Sequence, residues 1–273
     1  FLNIVGAELI KFQPTHAAII FDGDGDGFRK EIWPTYKAQR ESDDDLLAGQ
    51  VDNISLTMRE SMNNLRDLIP MLGIKCLQLR DVEGDDTIRS VTGLTDEIPT
   101  IISTNDKDML QLVNKRVAVL STHWGYVTPA RVRELLDIRP RQVVDYLALQ
   151  GDKIDNYPGV KGMGPKTASK LLNEFGTVRD FLDHVKKDHE LFKWKAKIED
   201  SDFRIFRKLA KLVEYELTDP DDEERILTID DFAVGEPDKD AVLEWMESFG
   251  IRKYPPYITK VLGLAEGRVR RMF

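Results

Sequence analysis

Residues 74–108 read IKCLQLRDVEGDDTIRSVTGLTDEIPTIISTNDKD, and their rhythm decides the fold class. Ile74 to Leu79 is a short apolar run of strand length, and Asp85 to Thr92 opens a helix. Thr100 to Ser103 is a second apolar run. A strand, a helix and a strand at this spacing predict a mostly parallel sheet in an α/β protein. In such sheets ligands bind outside the carboxyl ends of the strands. Glu83, Asp85 and Asp86 follow the first run, and Asp106 and Asp108 follow the second. The acids therefore fall on the edge where a site belongs.

The same alternation extends upstream. Leu2 to Lys11 carries a helical apolar pattern, Ala17 to Phe21 is a buried strand running into Asp22, and Met58 to Leu72 is a helix stopped by Gly73. Val117 to Leu120 is a further strand. From Thr128 onward the pattern turns helical. Thr128-Pro129 is an N-cap and first-turn pair for a helix through Leu136. Helices follow over Arg141 to Gln150, Lys166 to Phe175 (closed by Gly176), Asp202 to Tyr215 and Asp240 to Phe249. The expected division is a core over 1–127 and a helical domain over 128–273.

Composition narrows the class. The 273 residues are 41% hydrophobic and 32% charged, as in globular proteins. No apolar run approaches the roughly 18 residues of a membrane span, so a membrane partner is not expected. No signal peptide is visible, and the expected setting is cytoplasmic. Cys76 is the only cysteine, which excludes an intramolecular disulfide and a cysteine zinc site. The chain begins at Phe1 rather than Met, as a fragment or processed product would. The net charge of -9 argues against a nucleic-acid partner, but its distribution does not. Residues 161–211 hold 13 Lys or Arg against 8 Asp or Glu, while 219–240 is acidic.

A third pair of acids, Asp152 and Asp155, stands in GDKIDN. Carboxylates brought together repel unless cations separate them, and hard divalent cations such as Mg²⁺ take oxygen ligands. Acids in the first turn of a helix also favour its dipole, which explains one or two of Glu83, Asp85 and Asp86 but not the next cluster. Residues 22–33, DGDGDGFRKEIW, begin like an EF-hand loop, but its twelfth position is Trp33, not a bidentate Glu. Phe28, Arg29, Pro34, Tyr36, Lys37 and Arg40 follow. Cations and aromatics beside acids suit a phosphate-positioning element, or else a solvated amphipathic helix. Gly159 to Ala168, GVKGMGPKTA, looks like a helix-hairpin-helix turn. Its glycines let a DNA backbone approach, a helix N-terminus faces the phosphate, and Lys161 and Lys166 add charge. The plainer alternative is an ordinary glycine-rich interhelical turn.

FDGDGDGFRKEIWPTYKAQR, VEGDD, STNDKDMLQLV and LALQGDKIDNYPGVKGMGPKTASKLL together resemble the 5′-nuclease (flap endonuclease) family, in family order over roughly residues 1–175. The likeness is to the 5′-3′ exonuclease domain of bacterial DNA polymerase I and to phage 5′-exonucleases. It implies a PIN-like α/β core and a helical domain with a helix–three-turn–helix element at about 145–176. It also implies Mg²⁺-dependent hydrolysis of DNA near 5′ ends, flaps or nicks in replication and repair, by a monomer, with a polymerase in cis or in trans. Two or more Mg²⁺ ions are implied, with Mn²⁺ able to substitute, on Asp22, Glu83, Asp85, Asp86, Asp106, Asp108, Asp152 and Asp155. Asp85 and Asp86 are implied as catalytic, with Lys37 and Arg40 stabilising charge on the transferring phosphoryl. Arg29, Tyr36, Lys37, Arg40, Lys161, Gly162, Gly164, Lys166 and Thr167 are the implied DNA contacts. The resemblance also implies a K⁺ ion on the main chain at Gly159, Gly162 and Gly164. Family members begin with a strand whose closing aspartate joins the cluster; here it would lie upstream of Phe1. The alternative is a non-catalytic, structure-specific DNA-binding homologue with an incomplete metal site. The acidic stretch after Arg40 departs from the cationic arch of the family.

Overall fold

The computed structural model describes residues 2–23, 27–38, 52–95, 97–220, 222–251 and 253–263, with the backbone alone over 52–60 and at 223. The described residues fall into two compact units, neither continuous in sequence. One comprises 1–21, 51–78 and 218–273; the other comprises 22–50 and 79–217.

In the first unit, strand β1 (Ala18–Ile20) pairs in parallel with strand β2 (Lys75–Leu77), Ala18 opposite Lys75. Phe21 N–H continues the ladder to Leu77 O at 2.9 Å. Phe21, Leu68, Ile69, Leu72, Ile74, Val242, Met246 and Ile258 form its core. The helix Asp52–Met71 ends at Gly73, whose φ of +72° needs a residue without a side chain. Added bulk there is also excluded, because a Cβ would lie 2.3 Å from Gly235 O. Helix Leu2–Phe12 matches its expected span within a residue.

In the second unit, β3 (Thr100–Ser103) runs parallel to β4 (Val117–Ser121) with Thr100 opposite Val117. A third strand, β5 (Gly125–Val127), returns antiparallel to β4 and was not foreseen. Two of its three residues are exposed, so it lacks the apolar run that marks a strand. Thr128 Oγ1 caps helix Pro129–Leu136 by accepting from Arg131 N–H at 3.4 Å. The next expected helix is split, a 3₁₀ turn over Pro140–Gln142 leading into Val143–Gln150. Helix Pro165–Phe175 ends at Gly176, φ +83°. Helices Val178–His184 and Lys193–Glu199, each seven residues long, are too short to leave a periodic signal. Met109, Leu110, Val119, Val132, Ile138, Leu149, Leu171, Leu172, Phe181 and Phe206 pack this core.

The helix expected over Asp202 to Tyr215 stops at Ala210. Beyond it the backbone is spent on long-range partners instead of the helix ladder. Leu212 N–H donates to Gln111 Oε1 (3.1 Å), Val213 N–H to Asp86 Oδ1 (2.8 Å) and Tyr215 N–H to Ser90 Oγ (2.9 Å). No described helix is long and apolar enough to cross a membrane.

Candidate active site

The acids gather in the second unit, on loops and at the starts of helices. Gly84 N–H donates to Asp22 Oδ1 at 2.7 Å, tying the 21–23 segment to the start of helix Gly84–Gly93. A Cβ on Gly84 would lie 2.9 Å from that oxygen, and one on Gly23 would lie 2.1 Å from Leu79 O. Both glycines are therefore demanded by close backbone approach. Asp106 caps the 3₁₀ turn Lys107–Leu112, its Oδ1 accepting from Asp108 N–H at 2.8 Å. The loop holding Asp152 and Asp155 is closed by a reciprocal pair, Asp152 N–H to Tyr157 O and Tyr157 N–H to Asp152 O, both 2.9 Å.

Segment 33–37 docks on that loop. Trp33 Nε1–H donates to Asn156 O (2.9 Å), Asn156 Nδ2–H to Thr35 O (2.6 Å) and Lys37 N–H to Asp155 O (3.1 Å). Lys37 takes φ +56°, a left-handed conformation rare for a side-chain-bearing residue and concentrated at functional sites. Its Nζ reaches Glu83 Oε2 at 2.7 Å. Tyr36 O–H donates to Glu83 Oε2 (3.4 Å) and Asp155 Oδ2 (3.3 Å). Trp33 and Asn156, which fix this docking, carry no chemical signal in the sequence.

Among the described residues, burial and neighbouring carboxylates raise two of the acids. Burial pushes the Asp85 carboxyl up to about 7, aided by Asp106, Asp22 and Glu83 and opposed by Lys37. Burial also drives Asp108 well above the carboxylate range, and Asp106, Asp155, Asp152 and Asp85 add to it. Asp108 Oδ1 is buried with no hydrogen-bond partner, as is the Tyr157 hydroxyl, whose ionisation burial and then Asp108, Asp152 and Asp155 oppose. Lys107 answers part of this charge: its Nζ lies 2.7 Å from Asp152 Oδ2. Burial works against the Asp152 carboxylate, but the Lys107 ammonium and the N–H groups of Asp155 and Ile154 hold it below its ordinary value. Among the described residues, no three of these side chains converge as a ready-made metal centre. The donor set still fits a hard divalent cation, because an orphaned carboxylate oxygen in a surplus of negative charge is the environment such an ion relieves.

Three expectations are corrected. Arg29 is no DNA contact: it is 2% exposed, and its guanidinium grips Asp86 through Nη1–Oδ2 (2.6 Å) and Nη2–Oδ1 (2.9 Å). Its remaining donors reach Leu209 O (2.9 Å) and Lys211 O (3.0 Å). Asp86, 1% exposed with both oxygens so engaged, is a structural anchor rather than a metal ligand or catalytic acid. The bidentate fork explains the choice of Arg over Lys. Tyr36 is buried in the core with its hydroxyl on two acids, so it offers no stacking face to a base. Arg40 lies outside the described residues. Asp22, Glu83, Asp85, Asp106, Asp108, Asp155 and Lys37 remain together as one electrostatic group, with Asp152 held by Lys107.

The glycine turn divides into a packed half and an open half. Gly151 (φ +78°) and Gly159 (φ +65°) press backbone on backbone, a Cβ on Gly159 meeting Gly151 N at 2.2 Å. Gly162 (φ +80°) is exposed, a Cβ there making only ordinary contact with Lys197 and Trp194, and a Cβ on Gly164 would meet nothing within 4 Å. Gly164 precedes Pro165, the first residue of the helix Pro165–Phe175, and no side chain caps its N-terminus. Lys161 and Lys166 are exposed beside it, and Thr167 is half-buried. A sequence signal missed the buried acid Asp145, whose oxygens accept from Arg207 Nε–H (2.6 Å) and Val178 N–H (3.1 Å) and pin the helices behind the turn.

The description "5′-3′ exonuclease, N-terminal resolvase-like domain" matches residues 1–137, and "5′-3′ exonuclease, C-terminal SAM fold" matches 138–239. A 5′-3′ exonuclease of Aquifex aeolicus is 30% identical over 271 residues, covering 98% of this chain and 86% of that one. DNA polymerase I of Mycobacterium bovis is 37% identical over 179 residues, 63% of this chain but only 19% of that protein. The fold is that of the bacteriophage T5 D15 protein co-crystallised with metal ions, at TM-score 0.67 and 18% identity over 97% of this chain and 91% of that one. The catalytic core of Rad2 in complex with DNA substrate is similar at TM-score 0.53 and 19% identity, over 90% of this chain and 78% of that one. With both halves of the family pattern matched in order, and a relative 30% identical over 98% of this chain, the chain belongs to the 5′-3′ exonuclease family of structure-specific 5′ nucleases.

Proposed function

We propose that this nuclease hydrolyses DNA phosphodiesters near 5′ ends, flaps and nicks in a reaction that requires Mg²⁺. One observation carries the proposal: the buried, unpartnered Asp108 Oδ1 within a group of acids in which the Asp85 and Asp108 carboxyls are pushed upward. Asp22, Glu83, Asp85, Asp106, Asp108 and Asp155 are the residues that would hold the divalent ions, and Mn²⁺ suits the same oxygen donors. When bound, such ions supply Lewis acidity and a nucleophile available near neutral pH. Lys37, fixed by its left-handed backbone and its bond to Asp155 O, presents an ammonium at the cluster edge where a phosphoryl oxygen gains charge. Asp152 orients Lys107 and, through its Oδ1, the backbone of 154–155. The open half of the glycine turn, with Lys161, Lys166 and Thr167, holds the duplex by its phosphates.

The 1–127 and 128–273 division is proposed as functional rather than physical, since the second compact unit runs through it. The polymerase I relatives carry the matched region within much longer chains, which supports a polymerase as partner, in cis or in trans. The test is Asp85→Asn with Asp106→Asn, which leaves the Arg29–Asp86 anchor intact. Mg²⁺-dependent cleavage of 5′-flap and nicked DNA should fall by at least 100-fold while flap binding survives. Undiminished cleavage refutes the site, and wild-type protein that binds flap DNA without cutting it favours the non-catalytic alternative.

A further inference from the structure

We propose that Lys197 is a phosphate-binding residue of the glycine turn and supplies there, from within the chain, the positive charge that a bound K⁺ would otherwise provide. Lys197 belongs to helix Lys193–Glu199, KWKAKIE, whose Trp194 is buried and anchors it behind the turn. The Lys197 ammonium sits 4.5 Å from the Trp194 ring centroid, a favourable cation–π distance. It donates to the Lys161 carbonyl oxygen at 3.4 Å. A Cβ on Gly162 would stand 3.7 Å from Lys197 Nζ and 3.9 Å from the Trp194 ring. The charge therefore lies against the exposed, left-handed half of the turn, beside the helix N-terminus at Gly164. Lys193 Nζ, 5.6 Å from the centroid of the same ring, adds to the positive charge on this helix.

Three main-chain carbonyls of the turn already have donors. Val160 O accepts from Met163 N–H (2.9 Å), Gly164 O from Thr167 and Ala168 N–H (3.1 and 3.0 Å), and Lys161 O from the ammonium. An ion placed on these carbonyls would have to share them with N–H donors and repel the charge of Lys197. A phosphate oxygen arriving over Gly162 meets a pre-placed ammonium instead. An ammonium tethered to the chain is not exchanged with solvent, so duplex binding should not distinguish K⁺ from Na⁺.

The inference rests on the turn being a duplex-binding surface, and the experiment separates the two. The Asp85→Asn, Asp106→Asn protein is titrated with a fluorescent nicked duplex, by anisotropy, in NaCl and in KCl at equal ionic strength. The expected Kd is the same in both salts within twofold. Lys197→Met, which keeps the apolar stem on Trp194, should weaken binding about tenfold and lower the log–log salt slope by about one, the signature of one lost phosphate contact. It should also bind more tightly in KCl than in NaCl, the vacated carbonyl having become accessible. A parent protein that binds threefold or more tightly in KCl overturns the inference, as does a Lys197→Met protein with unchanged Kd and slope. Lys161→Ala with Gly164→Leu serves as the control. If that variant binds as its parent does, the turn is not the duplex surface and both readings fall. If it loses binding while Lys197→Met does not, the inference alone falls.

Discussion

Arg29→Met is the most informative single substitution in this chain. Arg29 and Asp86 are 3% and 2% exposed at their side chains, and the guanidinium makes two bonds to Asp86 and one each to Leu209 O and Lys211 O. Among the described residues, removing it leaves a buried carboxylate facing Val213 N–H and two carbonyls without these donors. Breaking a buried pair from one side costs about 3–5 kcal/mol. That is a large fraction of the roughly 5–15 kcal/mol that holds a domain folded. The assay is equilibrium unfolding in urea, followed by tryptophan fluorescence and far-UV circular dichroism. Arg29→Lys should recover little, since an ammonium cannot make the bidentate fork. Arg29→Met with Asp86→Asn should lose less than Arg29→Met alone, because the stranded charge is gone while Val213 N–H keeps an acceptor. Were Arg29 a DNA contact, Arg29→Met would unfold within about 0.5 kcal/mol of wild type and bind DNA more weakly. That outcome would refute the anchoring role.

Asp85 carries a pH signature: its folded carboxyl titrates at about 7, against about 4 when unfolded. A raised folded value means the group costs nothing below pH 4 and destabilises progressively up to pH 7, by up to about 4 kcal/mol for three units. In EDTA, urea stability should therefore fall between pH 5 and pH 8. Asp85→Asn should flatten the fall, and saturating Mg²⁺ should reverse it; a metal-free protein equally stable at both pH values contradicts the electrostatic account. Gly23→Ala forces a Cβ to 2.1 Å from Leu79 O and should cost about 1–3 kcal/mol or more in thermal and urea unfolding. Gly164→Ala meets nothing within 4 Å and should cost under about 1 kcal/mol while measurably weakening duplex binding. Lys107→Met removes the ammonium 2.7 Å from Asp152 and should destabilise the metal-free protein by about 1–3 kcal/mol, read by differential scanning calorimetry.

Elements with strong local signals were legible in the sequence. β3 spans its expected residues, and helix Pro129–Leu136 starts at the Thr128 cap that its sequence announces. Acids at the ends of strands also marked the candidate site, because a strand terminus followed by Glu83 or Asp106 is a local pattern. What the sequence hid was the use of each charge. Arg29 and Lys37 look alike in FRKEIWPTYK, yet one is buried on Asp86 and the other reaches the open cluster. The difference comes from carbonyls at 209 and 211, some 180 residues away, which no local window includes. The helix through Tyr215 failed for the same reason: distant acceptors on Asp86 and Ser90 outbid the next helical turn.

The Arg29–Asp86 anchor bears on how this molecule can be divided. The two halves of the family pattern meet between residues 137 and 138, an inviting place to cut a gene. Yet a piece ending at 137 would keep both charged partners and lose the carbonyls of Leu209 and Lys211 and the amide of Val213 that complete their bonding. The acidic half and the helical half are thus not interchangeable modules. A chimera that joins the acids of one relative to the helices of another must carry the 203–215 segment with the acids, or it will inherit a buried charge network with its terminations missing.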